Sequence, residues 1–251
     1  MDISEFSRLK DQKNYQRHPW ETSRKNVLHT FLKQSKINFP IDRIVDIGSG
    51  DAYVIHTLVE KSYAKQYFAI DTAYTPEVIN QLQENNNSDV VYVQNLKEYQ
   101  EKYDSNKSTL FLCMDVLEHL EDEKIILDLL EKKSNNYYFF AVPAFQSVFS
   151  SHDVLLGHYR RYTLKQLNKL LVDNQFTILD KGYYFSSLLL FRNIDKILKK
   201  DKEASIDNWE GSKLKTKIIN TILSVDFKSS LVLKKLGITI PGLSTYCLCK
   251  K

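Results

Sequence analysis

Between residues 43 and 143 the chain switches repeatedly between two hydrophobic periods. Short apolar runs, RIVDIG, QYFAID, VVYVQ, TLFLCMD and YYFFAVP, are separated by segments of helical spacing such as VIHTLVE, PEVINQLQE and EDEKIILDLLEKK. That alternation is the pattern of βαβ units. Strands that are apolar on both faces must be covered on both faces, so the pattern calls for a parallel sheet between two helical layers. Right-handed crossovers then bring the carboxyl ends of the strands to one edge, where any chemistry is expected to collect.

The flanking segments extend this plan. Residues 14–35 carry Trp20, Val27, Leu28, Phe31 and Leu32 at helical spacing, Thr163 opens the helical segment TLKQLNKLLVDNQ, and FTILDKGYYF and LSTYCLCK read as sixth and seventh strands. The expected fold class is therefore α/β, a doubly wound, mostly parallel seven-stranded sheet in one unit. An N-terminal helical cover (1–40) precedes the core (41–185), and a lysine-rich helical insertion (186–243) precedes the last strand (244–251). The segment 196–217 mixes lysines with acids and reads as a solvated face. With 43% hydrophobic residues in 251 the chain can fill such a core. Its apolar runs fall well short of the roughly 20 residues that span a bilayer. The first residues lack the basic, apolar and small-residue regions of a signal peptide, so a cytoplasmic protein without a membrane span is expected. Cys113, Cys247 and Cys249, an odd and sparse set, argue against a disulfide framework and are expected as buried thiols. A net charge of +4 from 35 basic and 31 acidic residues is no nucleic-acid footprint, so anion recognition must be local.

Only 7 glycines occur in the chain, and two of them, Gly48 and Gly50, lie together in IVDIGSGDAYVI, directly after the first strand and before a helix. Doubly wound folds bind the nucleotide part of a cofactor at that place. Asp71 follows 25 residues after Asp46, at the end of the second strand, where a carboxylate can accept hydrogen bonds from both ribose hydroxyls. Tyr53 occupies the position of the third glycine in GxGxxG, which argues against NAD and FAD.

A strand running into D-x-G-x-G with an acid ending the next strand resembles the class I S-adenosylmethionine-dependent methyltransferases. The resemblance implies a Rossmann-like fold with S-adenosylmethionine as cofactor: Asp46 beside its ammonium, the backbone at Gly48 and Gly50 against its methionine part, and Asp71 on its ribose. Asn95 and Asp115, after the third and fourth strands, and Trp20 and Arg24 of the cover complete the expected cofactor set. Ala52 stands where family members often carry glycine. HPWE followed by Arg24, MDVLEHLED at 114–122, VPAFQSVFSSHDVLLGHYRRYT at 142–163 and IPGLSTYCLCKK at the end are similar to a bacterial subgroup often encoded with surface-polysaccharide genes.

Two further clusters fall at the carboxyl edge. If a helix begins near Asp115, then Asp115, Glu118 and His119 stand at i, i+3 and i+4 on one face. Some similar methyltransferases bind a divalent metal with D/E-x-x-E-H, whereas relatives with the same string use none; no metal is expected here, and His119 is a candidate base. SSHDVLLGHYRRYT, after the fifth strand, offers His158 as a second candidate base and His152, Asp153, Arg160 and Arg161 for an anionic or hydroxyl-rich substrate, with Tyr162 packing beneath the loop and Thr163 capping the next helix. The expected function is methyl transfer to an oxygen of a small polar metabolite, which the resemblance narrows to a sugar or phosphorylated precursor of a surface polysaccharide. Alternatives are a small-molecule N-methyltransferase, an RNA or DNA methyltransferase, and a catalytically inactive cofactor-binding partner. The nucleic-acid reading lacks an N/D-P-P-Y/F segment after the fourth strand, where CMDVLEH stands.

Overall fold

A computed structural model describes residues 17–86, 89–103, 106–130, 134–197 and 211–251. In chain order the elements are α1 (Pro19–Gln34), β1 (Ile41–Ile47), α2 (Tyr53–Val59), β2 (Ala64–Ile70), α3 (Pro76–Asn85), β3 (Val90–Val93), α4 (Leu96–Lys102), β4 (Thr109–Met114), α5 (Lys124–Leu129), β5 (Tyr137–Pro143), α6 (Ser151–Leu155), α7 (Leu164–Asp173), β6 (Thr177–Tyr184), α8 (Ser186–Ile197), α9 (Lys213–Lys235) and β7 (Ser244–Lys250).

The strands form one sheet in the order β3-β2-β1-β4-β5-β7-β6. β1 to β5 pair in parallel, and β7 enters antiparallel between β5 and β6. The period-2 alternation of a strand splits the core into two layers. Leu110 and Leu112 of β4 and Phe139 of β5 join Leu28 and Phe31 of α1, Ile55 of α2 and Leu223 and Phe227 of α9. Phe111, Cys113, Tyr138 and Phe140 face the other way, against Leu96 of α4, Leu127 of α5 and Leu167 of α7. Because both sides of each central strand are covered, the runs that looked uniformly apolar are buried from end to end: all six residues of β4 are buried. The three cysteines are buried and unpaired, as their apolar settings suggested.

Chain direction reverses its march across the sheet at β1, which lies between β2 and β4. In doubly wound folds a topological switch of this kind is where ligands bind, here above the carboxyl ends of β1 and β4. The N-terminal segment that reads as a cover is α1 in its described part, residues 1–16 lying outside the described residues. The insertion is helical where described, as α8 and α9; residues 198–210, which include most of the mixed lysine and acid segment, lie outside. Among the described residues no helix is long and apolar enough to cross a membrane.

Candidate active site

Four residues in the left-handed region cluster where β1 and β4 end: Gly48 (φ 68°), Gly50 (φ 52°), Ala52 (φ 60°) and Asp115 (φ 52°). Non-glycine residues there cost roughly 1–3 kcal/mol each and persist where surrounding structure fixes them. A Cβ on Gly48 would lie 2.5 Å from Cγ2 of Val116, so the group admitted by that missing side chain is one from the end of β4. Gly50 is held from the other side. Its N–H donates to Asp71 (3.0 Å), whose second oxygen accepts from the Ala73 N–H (3.0 Å). The Tyr74 hydroxyl donates to the Gly50 carbonyl (2.9 Å) and lies 2.7 Å from Ser49 Oγ. Asp46 is buried beneath this turn. Desolvation pushes its carboxyl up to about 7, with Asp71 and Asp51 acting in the same sense and Arg24 opposing.

α1 closes over the turn. His18 caps it, accepting from the Trp20 N–H (3.2 Å), and Pro19 opens it where its missing N–H costs nothing. Arg17 pairs with Glu21 and Asp51 and lies 3.8 Å over the Tyr53 ring. Arg24 pairs with Asp115, and its guanidinium stands 4.8 Å from the Trp20 ring centroid. Thr22 and Ser23 on the opposite side meet the Asn220 side chain of α9, each at 2.9 Å.

The expected helix from Asp115 does not form. The positive φ of Asp115 turns the chain, and only one 3-10 turn, Leu117–His119, follows before α5. Asp115 therefore faces Arg24, while Glu118 and His119 meet the loop after β5. The imidazoles of His119 and His158 meet edge to face, with centroids 4.6 Å apart. Ligand-capable atoms of Glu118, His119 and His158 all lie within 4.8 Å of one another. Glu118 is fully buried, neither carboxyl oxygen has a hydrogen-bond partner among the described residues, and burial pushes its pKa up to about 8. His158 is anchored by Nδ1, 2.9 Å from Asp153.

Asp153, expected to bind substrate, is instead a buried structural hub. Burial opposes its ionisation, but bonds from His158 and Arg161 outweigh this and hold it well below the usual carboxylate range. Arg161 donates to it through Nε (2.7 Å) and Nη2 (3.0 Å). Both residues expected as substrate ligands thus bond each other out of solvent. Arg160 is likewise engaged, with Glu123 and the Glu121 carbonyl, both at 2.6 Å. Asn95 spends its side-chain oxygen capping α4, accepting from the Glu98 N–H (2.9 Å), and is exposed. His152 lies half-buried on α6. Tyr162 is buried beneath the loop and donates to Glu123 (2.8 Å), and Thr163 caps α7 with Gln166, as expected. Tyr74, Val116 and Glu123 escaped the sequence reading. Val116 sits within the MDVLEHLED string but carries no reactive group, Tyr74 and Glu123 lie outside the motifs, and each acts across 24 or more positions of sequence.

No family model and no curated protein matches the chain by sequence. Solved structures do match by shape. A chain in the complex between the Haloferax volcanii Trm112 methyltransferase activator and its assigned methyltransferase superposes with a TM-score of 0.57 at 11% identity, covering 100% of this chain and 98% of that one. Haemonchus contortus phosphoethanolamine N-methyltransferase 2, in complex with S-adenosyl-L-methionine, gives 0.51 at 16%, covering 90% and 52%. A protein of Bacillus halodurans assigned as a methyltransferase gives 0.51 at 15%, covering 89% and 98%. The chain has the class I methyltransferase fold, Rossmann-like, with the antiparallel seventh strand inserted between the fifth and sixth.

Proposed function

We propose that the protein is an S-adenosylmethionine-dependent methyltransferase acting on a small polar acceptor. One observation carries the reading: the strained glycine turn with its two buried carboxyls, and the cluster of Glu118, His119 and His158, rise from adjoining strand ends of this fold and meet through the contact of Val116 with Gly48. The residues fit the cofactor. Asp46, buried and raised towards 7, gains a counter-ion from an ammonium group. Asp71 keeps a second lone pair on each oxygen for ribose hydroxyls beyond its bonds to Gly50 and Ala73. The fold neighbour in complex with S-adenosyl-L-methionine supports the same choice. Trp20 and Arg24 shield the site from α1.

The cofactor supplies an electrophilic methyl group on a sulfonium. What the chain must add is a fixed acceptor and a place for its proton. With Nδ1–H donated to Asp153, His158 carries its lone pair on Nε2, and the ionised Asp153 stabilises the imidazolium that proton uptake creates. His119 packs against it and helps to hold the acceptor. Glu118, mostly protonated near neutrality, can donate a hydrogen bond to an acceptor oxygen. An oxygen acceptor, as in a sugar or phosphorylated precursor, uses this base most fully, because a hydroxyl holds its proton more tightly than an amine surrenders one. The polysaccharide association rests on the sequence resemblance alone.

The unpartnered Glu118 oxygens, close to two histidines of which one is backed by a carboxylate, favour a second reading: a divalent ion held by Glu118, His119 and His158. Transfer to a panel of nucleotide sugars and phosphorylated metabolites, assayed with and without exhaustive chelation, separates the two. The base reading predicts activity that survives chelation and falls by about 10²–10⁴ in His158→Ala with cofactor affinity kept. Loss on chelation, restored by magnesium or manganese, would replace it with the ion.

A further inference from the structure

The face of α9 turned away from the core is apolar. Leu223, Phe227 and Ser230 are buried. On the opposite side Leu214, Ile218, Ile222, Val225, Val232 and Leu236 are between 49% and 71% exposed. Their spacing of three, four or seven residues lines them up as one stripe along the whole helix. α8, which Ser187 ties to α9 through the Asp226 carboxylate, also exposes Leu190, Phe191 and Ile194. Buried aliphatic side chains are ordinary, but an exposed stripe of this length on a helix whose other face already packs marks a contact surface.

Charge indicates what covers it. α8 and α9 together hold eight Lys and Arg against two Asp, a net of +6, whereas the whole chain carries +4. The remainder of the molecule is thus net acidic, and the basic charge is gathered beside the stripe. Lys217, Lys228 and Lys235 run along one flank of it, and a groove of about 490 Å³ there is lined by Lys213, Lys217, Lys228, Asn220, Thr221 and Ser224. Among the described residues none of these lysines has an ion-pair partner. We propose that α9 is an interfacial helix that docks the protein on an anionic bilayer surface. The aliphatic stripe enters the boundary between headgroups and acyl chains, and the lysine flank and its hydroxyl-lined groove take lipid phosphates. A second copy is a poorer occupant, because apposed stripes would bring lysine rows together while the one acid of α9, Asp226, is already engaged by Ser187. RNA is poorer still, since the exposed face of α9 has no aromatic side chain for bases to stack on. This inference stands independently of the methyl-transfer reading.

The full chain should cosediment with vesicles of phosphatidylcholine and phosphatidylglycerol mixed three to one (about 25% anionic lipid) and not with pure phosphatidylcholine, and rising salt should weaken the binding. Ile218→Glu with Val225→Glu should abolish it. Lys217→Glu with Lys228→Glu should weaken partitioning by about tenfold or more, as each lysine near such a surface contributes about fivefold. All four positions are exposed or line the groove, so circular dichroism and melting should be unchanged. Failure to bind anionic vesicles, or binding of equal strength to neutral ones, would overturn the proposal. So would a dimer in sedimentation velocity that the Ile218 and Val225 substitutions dissociate, or salt-sensitive RNA binding lost in the lysine variant in place of vesicle binding.

Discussion

Gly48 shows how much one missing side chain decides. Its φ of 68° and the 2.5 Å approach of Val116 to its absent Cβ combine a backbone and a packing constraint at the point where β1 meets β4. Gly48→Ala should therefore lower stability by roughly 1–3 kcal/mol and weaken S-adenosylhomocysteine binding. Adding Val116→Ala should recover part of the stability, since it removes the clash but not the unfavourable φ. A Gly48→Ala protein with native melting and affinity would show that the turn tolerates a side chain. The glycines were legible in the sequence because glycine is scarce here, and the identity of the neighbour was not, because Val116 lies in another strand's exit. Asp153 and Arg161 teach the converse. As residue types beside two histidines they looked like substrate ligands, but their reciprocal bonds bury both, and nothing in a linear sequence distinguishes an arginine that meets a ligand from one that meets its own loop.

At the scale of elements, the strands and helices followed directly from their hydrophobic periods, because burial on two faces or on one leaves a local imprint on composition. The connection after β4 did not. MDVLEH has the spacing of a helix start, but the positive φ at Asp115 and the extended backbone at Leu120 confine it to one 3-10 turn, sending Asp115 to α1 and Glu118 to the loop after β5. The tie between Arg24 and Asp115 makes α1 part of the site as well as its cover, and it gives the cover an electrical role. Arg24 lowers the pKa of Asp46 against the larger effect of burial, which leaves it at about 7. On the proposed reading the ligand ammonium takes the ionised form of Asp46, so affinity for S-adenosylhomocysteine should rise with pH through that region. In Arg24→Ala the opposing charge is gone, and the midpoint of the rise should move to higher pH. A midpoint that stays in place or moves down would separate Arg24 from Asp46.

Taken whole, the molecule stores three raised carboxyls in its interior near the ends of β1, β2 and β4: Asp46 at about 7, Glu118 at about 8, and Asp71, which burial also pushes up. Each is raised above its ordinary value, so folding favours the protonated forms: the stability they contribute is complete below the ordinary carboxylate range near 4 and is lost progressively as pH rises to about 7 to 8. Asp153, held low, acts only in the acid range and does not mask this. The melting temperature of the free protein should fall from about pH 5 to about pH 8, and the fall should be shallower in Asp46→Asn with Glu118→Gln. Equal curves for the two proteins would mean that these carboxyls are not the buried acids described. The central claim is that the switch point between β1 and β4 binds the adenosyl cofactor through Asp71 and the glycine turn. Calorimetric titration of S-adenosylhomocysteine into the native chain and into Asp71→Ala tests it most directly. Hydrogen bonds to a charged acceptor contribute about 1.5–3 kcal/mol each, so the native chain should bind one equivalent and the folded variant should bind at least about tenfold more weakly. No binding by the native chain, or equal affinity in the two, would contradict the account.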